Sequence, residues 1–269
     1  MKNLKSVFIL LLISIGIQNL YAAKVDTIEV YSASMNKKIK TVVIRPQEAK
    51  DKAIPTLYLL HGYSGDYSDW VQKVPFIKTL VDRYNYMVVC PDGGYGSWYW
   101  DSSPDFQYET FVSKELINHI EANYNVCKHK SGRAITGLSM GGHGALYLAI
   151  RHQDIYGAVG STAGGVDIKP FPNNWEISKR LGEYATNRDK WSSHTIMDML
   201  HLIQPNNLKI FIDCGYDDIF FGVNEELHKQ LSYLNIKHTY LNIPGNHNWE
   251  YWAKSIPYQM AFFDQNFRN

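Results

Sequence analysis

The chain has 269 residues, 45% hydrophobic and 20% charged, with a formal net charge of +1. That length suits one large α/β domain with a sizeable core. The absence of any long basic or acidic run argues against a nucleic-acid partner, and no zinc-type Cys/His spacing appears.

Lys2 and Lys5 precede an apolar stretch from Val7 to Ile17, and Tyr21-Ala22-Ala23 offers small residues for cleavage. This is the pattern of a secretory signal peptide over 1–23, cut after Ala22 or Ala23. The apolar run is short for a membrane span, and no Cys near the cut marks a lipid anchor. The expectation is an exported protein, periplasmic or secreted, without stable membrane association after cleavage. Residues 24–269 would form the folded domain. Cys90 and Cys214 end apolar runs and read as buried small hydrophobes rather than a disulfide framework, and with Cys127 they leave a single bridge open in an exported protein.

Val25 to Val30 and Ile39 to Arg45 alternate as two antiparallel strands, with the hairpin at Met35-Asn36-Lys37-Lys38. Thr56-Leu57-Tyr58-Leu59-Leu60 is a continuous apolar run, as a central parallel strand should be. It ends in His61-Gly62-Tyr63-Ser64-Gly65. Val74 to Tyr84 reads as a helix and Tyr86 to Cys90 as the next strand. The loop Pro91 to Asp101 mixes glycines with Trp98, Tyr99 and Trp100. Loops at the carboxyl ends of parallel strands line the ligand crevice, so these aromatics either wall a pocket or pack over the sheet edge. Tyr108 to Asn123 reads as one amphipathic helix.

Gly137-Leu138-Ser139-Met140-Gly141 follows the strand-like Arg133 to Thr136 and precedes the helix-forming Ala145 to Ile150. Strand, tight turn and helix around Gly-x-Ser-x-Gly make a nucleophile elbow. Ser139 must stand on a strained turn to clear the sheet, and neighbouring glycines remove the Cβ atoms that would clash. The helix that follows aims its first N–H groups at developing negative charge. Gly157 to Gly165 reads as a short strand and loop. From Asp167 to Asn207 the strand–helix rhythm lapses into a loop-and-helix excursion that contains Trp175 and Trp191 and partly covers the site. Leu208 to Cys214, Asn224 to Leu234, His238 to Ile243 and Glu250 to Phe267 restore it as strand, helix, strand and helix.

A serine needs a base, and the base an orienting acid. Of the histidines after Ser139, only His247 falls in a loop beyond the last core strand. For the acid, Asp213, Asp217 and Asp218 all follow or end the preceding strand, and spacing does not separate Asp217 from Asp218. His61-Gly62, after an early central strand, is where a second oxyanion donor belongs, and the N–H of Tyr63 is the candidate beside that of Met140. His61 itself reads as a structural hydrogen-bonding residue.

Gly137 to Gly142, Gly215-Tyr216-Asp217-Asp218 and Gly245 to Trp252 together resemble the esterase family of α/β-hydrolases. That family includes feruloyl and acetyl-xylan esterases of carbohydrate esterase family one, S-formylglutathione hydrolases and mycolyltransferases. The resemblance runs in order from about Val25 to the C-terminus. It implies a mostly parallel sheet with helices on both faces. It implies Ser139 as nucleophile, His247 as base and Asp218 as acid, with Met140 and Tyr63 as oxyanion donors. Trp98, Tyr99 and Trp249 are the substrate-binding candidates. The implied activity is serine ester hydrolysis of a small-molecule or polysaccharide ester, feruloyl or acetyl, with no metal and no cofactor. An acyltransferase, an S-formylglutathione hydrolase-like thioesterase and a carbohydrate-binding domain with an inactive site are the alternatives.

Overall fold

A computed structural model describes residues 23–47 and 52–268. The expected signal segment lies outside them, except for Ala23, which is buried. Among the described residues, ten strands occur in chain order: β1 (Lys24–Ser32), β2 (Lys37–Arg45), β3 (Thr56–Leu60), β4 (Met87–Pro91), β5 (Asp101–Ser103), β6 (Phe106–Gln107), β7 (Arg133–Gly137), β8 (Ala158–Thr162), β9 (Lys209–Gly215) and β10 (His238–Ile243). Eight of them form one sheet in the order β1-β2-β4-β3-β7-β8-β9-β10. From β4 to β10 every pairing is parallel, and β1 and β2 add an antiparallel edge.

The apolar run of β3 explains its central place. All five of its residues are buried, and successive side chains go to opposite faces. Tyr58 and Leu60 join the core built with the helix Met140–Arg151, while Leu57 and Leu59 join the core beneath the helices Ile77–Tyr84 and Trp249–Phe267. Helices therefore cover both faces, as a buried parallel sheet requires. Among the described residues, no helix is long and apolar enough to cross a membrane.

Three elements differ from their sequence reading. The helix expected over 74–84 begins only at Ile77 and runs to Tyr84, and a separate short helix, Asp69–Lys73, precedes it. Pro75 forces its predecessor Val74 out of the helical region, to φ −127° and ψ 66°. The run over 108–123 contains a wide π-turn at Phe111–Glu115, between the helices Tyr108–Thr110 and Leu116–Asn123. Nearby, the Ser113 hydroxyl donates to the Glu109 carbonyl at 2.6 Å, a local competitor of the helical ladder. The small hairpin of β5 and β6 was not anticipated.

The helix Met140–Arg151 is buried from Met140 to Ile150. Its first turn lies hard against the end of β3: a Cβ on Gly141 would stand 2.5 Å from the His61 carbonyl oxygen and 2.7 Å from that of Leu60. Its last turn is tied down by Glu109, whose carboxylate accepts from the Tyr147 hydroxyl at 3.0 Å, Arg151 Nε at 2.8 Å and His152 Nε2 at 2.8 Å. Burial opposes ionisation of Glu109, but the hydrogen bonds from His152, Arg151 and Tyr147 outweigh it and pull its pKa down to about 2.

Two outcomes follow from these contacts. Gly141→Ala should cost about 3 kcal/mol, because backbone atoms block the new methyl, whereas Gly222→Ala, with nothing within 4 Å of its Cβ, should be neutral or mildly stabilising. Thermal denaturation of both variants checks this. Glu109→Gln should lower the unfolding midpoint at pH 7 by about 5 °C. A carboxylate with a depressed folded pKa stabilises above its unfolded pKa, and that stabilisation is lost as pH falls through the folded one. The gap between wild type and variant should therefore narrow from about pH 4.5 down towards pH 2.

Candidate active site

Ser139 sits between β7 and the helix Met140–Arg151 with φ 53° and ψ −118°. A non-glycine residue persists there only when its surroundings hold it. The Ser139 N–H donates to the Thr162 carbonyl at 2.9 Å, the Gly141 N–H to Leu138 at 2.7 Å, and the His143 N–H to the Ser139 carbonyl at 3.0 Å.

His247 lies in the loop between β10 and the helix Trp249–Phe267. Asn248 caps that helix by accepting from the Tyr251 N–H at 3.1 Å, which sets where the preceding loop ends. The Ser139 hydroxyl meets His247 Nε2 at 2.9 Å. On the other side of the ring, Nδ1 lies 3.0 and 2.9 Å from the two carboxylate oxygens of Asp218. The carboxylate is excluded from solvent and also accepts the Phe220 N–H at 2.8 Å. Asp217 points outward and is exposed. Asp213 is buried elsewhere, among Thr162, Tyr251, Ser255 and Gln259. The rings of Phe220 and Trp252 press edgewise on His247 at 5.2 and 5.1 Å. The carboxylate fixes a proton on Nδ1, which leaves the Nε2 lone pair facing the serine hydroxyl.

Two backbone N–H groups adjoin the serine. The Met140 N–H opens its helix, and the Tyr63 N–H follows Gly62. Neither is paired with an acceptor among the described residues. Gly62 runs beside the serine, where a Cβ would come within 3.5 Å of Ser139 Cβ and 2.6 Å of Leu138 Cδ1. His61 anchors this loop from below: Nδ1 donates to the Gly62 carbonyl at 2.7 Å, and Nε2 accepts the Gly93 N–H at 2.7 Å. Burial pushes the His61 pKa down and keeps the ring neutral, as that donor pattern demands.

The cleft above Ser139 measures about 480 Å³ and is walled by Tyr63, Trp175, Trp249 and Trp252, with Asp69 and Lys73 at its polar end. Trp249 is thus placed in it. Trp98 and Tyr99 are not, which corrects their assignment as substrate-binding walls. Both take left-handed backbone angles, φ 57° and 61°, and both are fully buried. The Tyr99 hydroxyl donates to the His61 carbonyl at 3.1 Å, supporting the Gly62 loop from beneath. Trp98 stacks on Trp100 at 5.5 Å and donates its indole N–H to the Trp175 carbonyl at 3.0 Å. Trp175 and Trp252 take the wall positions instead. The excursion between β8 and β9 delivers Trp175, and Trp252 follows His247 by little more than one helical turn.

A larger hollow of about 820 Å³ surrounds Glu109, Arg151 and His194, away from Ser139 and His247. Among the described residues, no group of three or more His, Cys, Asp or Glu is arranged to hold a metal ion. Chemically, the arrangement at Ser139 can activate a hydroxyl for attack on a carbonyl and stabilise the oxyanion that forms.

Comparison with known proteins gives the family and the fold. The model of the family described as "Putative esterase" matches residues 32–263. An acetyl esterase of Caldicellulosiruptor saccharolyticus is 26% identical over 85% of this chain and 94% of its own length. The diacylglycerol acyltransferase/mycolyltransferase Ag85A of Mycobacterium leprae is 30% identical over 86% of this chain and 80% of its own. A solved ferulic acid esterase superposes with a TM-score of 0.78 at 28% identity, over 92% of this chain and 99% of that one. The mostly parallel sheet with helices on both faces is the α/β-hydrolase fold, and the chain belongs to the esterase family.

Proposed function

We propose that this protein is an exported serine carboxylic-ester hydrolase that works through an acyl-enzyme on feruloyl or acetyl esters of plant polysaccharide. The observation that carries the chemistry is the unbroken chain from the Ser139 hydroxyl through His247 to the buried Asp218 carboxylate. His247 takes the serine proton as Oγ attacks the ester carbonyl. The N–H groups of Met140 and Tyr63 receive the oxyanion, each such donor being worth about 3–4 kcal/mol. Asp218 holds the tautomer and stabilises the imidazolium. His247 then protonates the departing alcohol, and water, activated by the same base, releases the acid. No step needs a metal or a cofactor. The likeness to the acetyl and ferulic acid esterases and the aromatic cleft walls support the substrate class. The basic and apolar N-terminal segment supports export. The likeness to the M. leprae acyltransferase supports a second outcome, in which a sugar hydroxyl replaces water at the acyl-enzyme.

Initial rates on methyl ferulate, p-nitrophenyl acetate and acetylated xylan test this reading. Ser139→Ala should lower kcat by at least about 10³-fold. A variant with wild-type rates would overturn the assignment, turnover of acetyl esters alone would assign a small acyl group, and transfer to added sugar would favour the acyltransferase. Trp175→Ala should raise KM for methyl ferulate about tenfold, well beyond its effect on p-nitrophenyl acetate, because a flat aromatic wall is lost. Equal effects on both substrates would place the acyl group elsewhere.

A further inference from the structure

Asp213 is a second buried acid beside the site, and the mechanism above does not use it. It lies near the end of β9, wholly buried, with no ion-pair partner among the described residues. Four side chains donate to it. Ser255 Oγ, at 2.5 Å, and the Tyr251 hydroxyl, at 3.0 Å, reach Oδ1; Thr162 Oγ1, at 3.1 Å, and Gln259 Nε2, at 2.6 Å, reach Oδ2. Gln259 Nε2 also reaches Thr162 Oγ1 at 2.6 Å, and its amide oxygen accepts from Thr136. Burial pushes the Asp213 pKa up to about 6, and the four donors pull against that shift by favouring the charged carboxylate.

The knot ties together the elements around the three site residues. Thr136 lies in β7, three residues before Ser139. Thr162 ends β8, and its carbonyl accepts the Ser139 N–H at 2.9 Å. Asp213 itself leads into the loop of Asp218. Tyr251, Ser255 and Gln259 project from the helix that starts two residues after His247. Tyr251 also packs where the two loops meet: a Cβ on Gly245 would lie 2.4 Å from its ring, and one on Gly215 would lie 3.2 Å from it. The knot excludes even a methyl group at Gly160, whose Cβ would fall 2.5 Å from Thr136 Oγ1.

A buried carboxylate without a cation is a poor way to gain stability, since an apolar residue of similar volume avoids its desolvation. Its four directional bonds do something an apolar contact cannot: they fix the rotation and height of one helix against β8 and β9, and the Thr136–Gln259 bond adds β7. We infer that Asp213 is a positioning residue for the ester hydrolysis proposed above, setting the mutual placement of Ser139, His247 and Asp218 from beneath the sheet's carboxyl edge. It touches no substrate. It acts through Thr162 on the serine backbone and through Tyr251 on the helix next to His247.

The test compares Asp213→Leu and Asp213→Asn with wild type, well below their unfolding midpoints. Three readouts are needed: kcat and KM for p-nitrophenyl acetate, the rate of covalent labelling of Ser139 by a fluorophosphonate, and thermal stability. Asp213→Leu should lower kcat and the labelling rate together by about 30-fold, with KM within about twofold, because a small misplacement of reacting groups is costly. Asp213→Asn, which keeps the shape and can re-pair with hydroxyls that rotate, should recover most of that loss. A folded leucine variant with kcat within about twofold of wild type, whatever its stability, overturns the inference. If Asp213→Leu does not fold, Tyr251→Phe combined with Ser255→Ala decides. It keeps the carboxylate and removes two donors, and kcat should fall about tenfold at unchanged KM; no fall overturns the inference. A wild-type chain that neither hydrolyses an ester nor takes the label overturns the esterase reading itself, a result distinct from an active wild type with indifferent variants.

Discussion

The constraint on which the rest of the structure depends is the backbone of Ser139. Holding an L-residue at φ 53° and ψ −118° costs on the order of 1–3 kcal/mol, and the fold meets that cost with bonds on every side. β8 supplies an acceptor for its N–H, and the helix behind it begins from its carbonyl. The neighbouring Gly141 lets that helix come within van der Waals contact of β3. The hydroxyl is thereby carried to the carboxyl edge of the sheet, where loops from β3, β9 and β10 converge. Their placement follows from strand order: β3 and β8 flank β7, and β9 and β10 lie just beyond.

Around this point the protein separates wet chemistry from dry support. His247 keeps part of its ring open to the cleft, while the carboxylate behind it sees no water. Below lie two histidines that serve as neutral spacers. His61 braces the Gly62 loop, and His143 donates to the Gly165 carbonyl at 2.9 Å while accepting the Trp100 indole N–H at 3.1 Å. Burial pushes the His143 pKa down to about 3, so it carries no charge into the core. The aromatics divide in the same way. Trp175, Trp249 and Trp252 face the cleft, and Trp98, Tyr99 and Trp100 form a packed floor under it.

Much of this was legible in the residues. A five-residue apolar run defines β3 because a parallel strand buried on both faces has no polar alternation to keep. Ser139 and His247 were legible because motif and position relative to the last strand are local facts. Asp218 was not separable from Asp217 by spacing: neighbouring loop residues point opposite ways, and only the third dimension shows which one meets the imidazole. The resemblance chose Asp218, and the fold brings that residue to His247. Trp98 and Tyr99 misled for a related reason. A loop at the carboxyl end of a strand does reach the crevice, but two consecutive left-handed residues turn these rings beneath it. Trp175 was hidden because its contact with the site depends on how the excursion folds back. Its carbonyl is held there by the Trp98 indole, a pairing across 77 residues.

The distance along the chain between Ser139 and His247, 108 residues, has a consequence for the protein while it is being made. Chains emerge from the ribosome N-terminus first, and domains fold as units. When the elbow segment has emerged, the base is still unsynthesised. The helix Trp249–Phe267 comes later again, yet it completes the face of the sheet that Ile77–Tyr84 covers in part, and the Tyr86 hydroxyl must wait for its Met260 carbonyl across 174 residues. A nascent or truncated chain therefore carries a serine without a base, on a sheet with one side only partly covered. The last stretch of chain thus supplies both the partner of the serine and the final covering of the sheet.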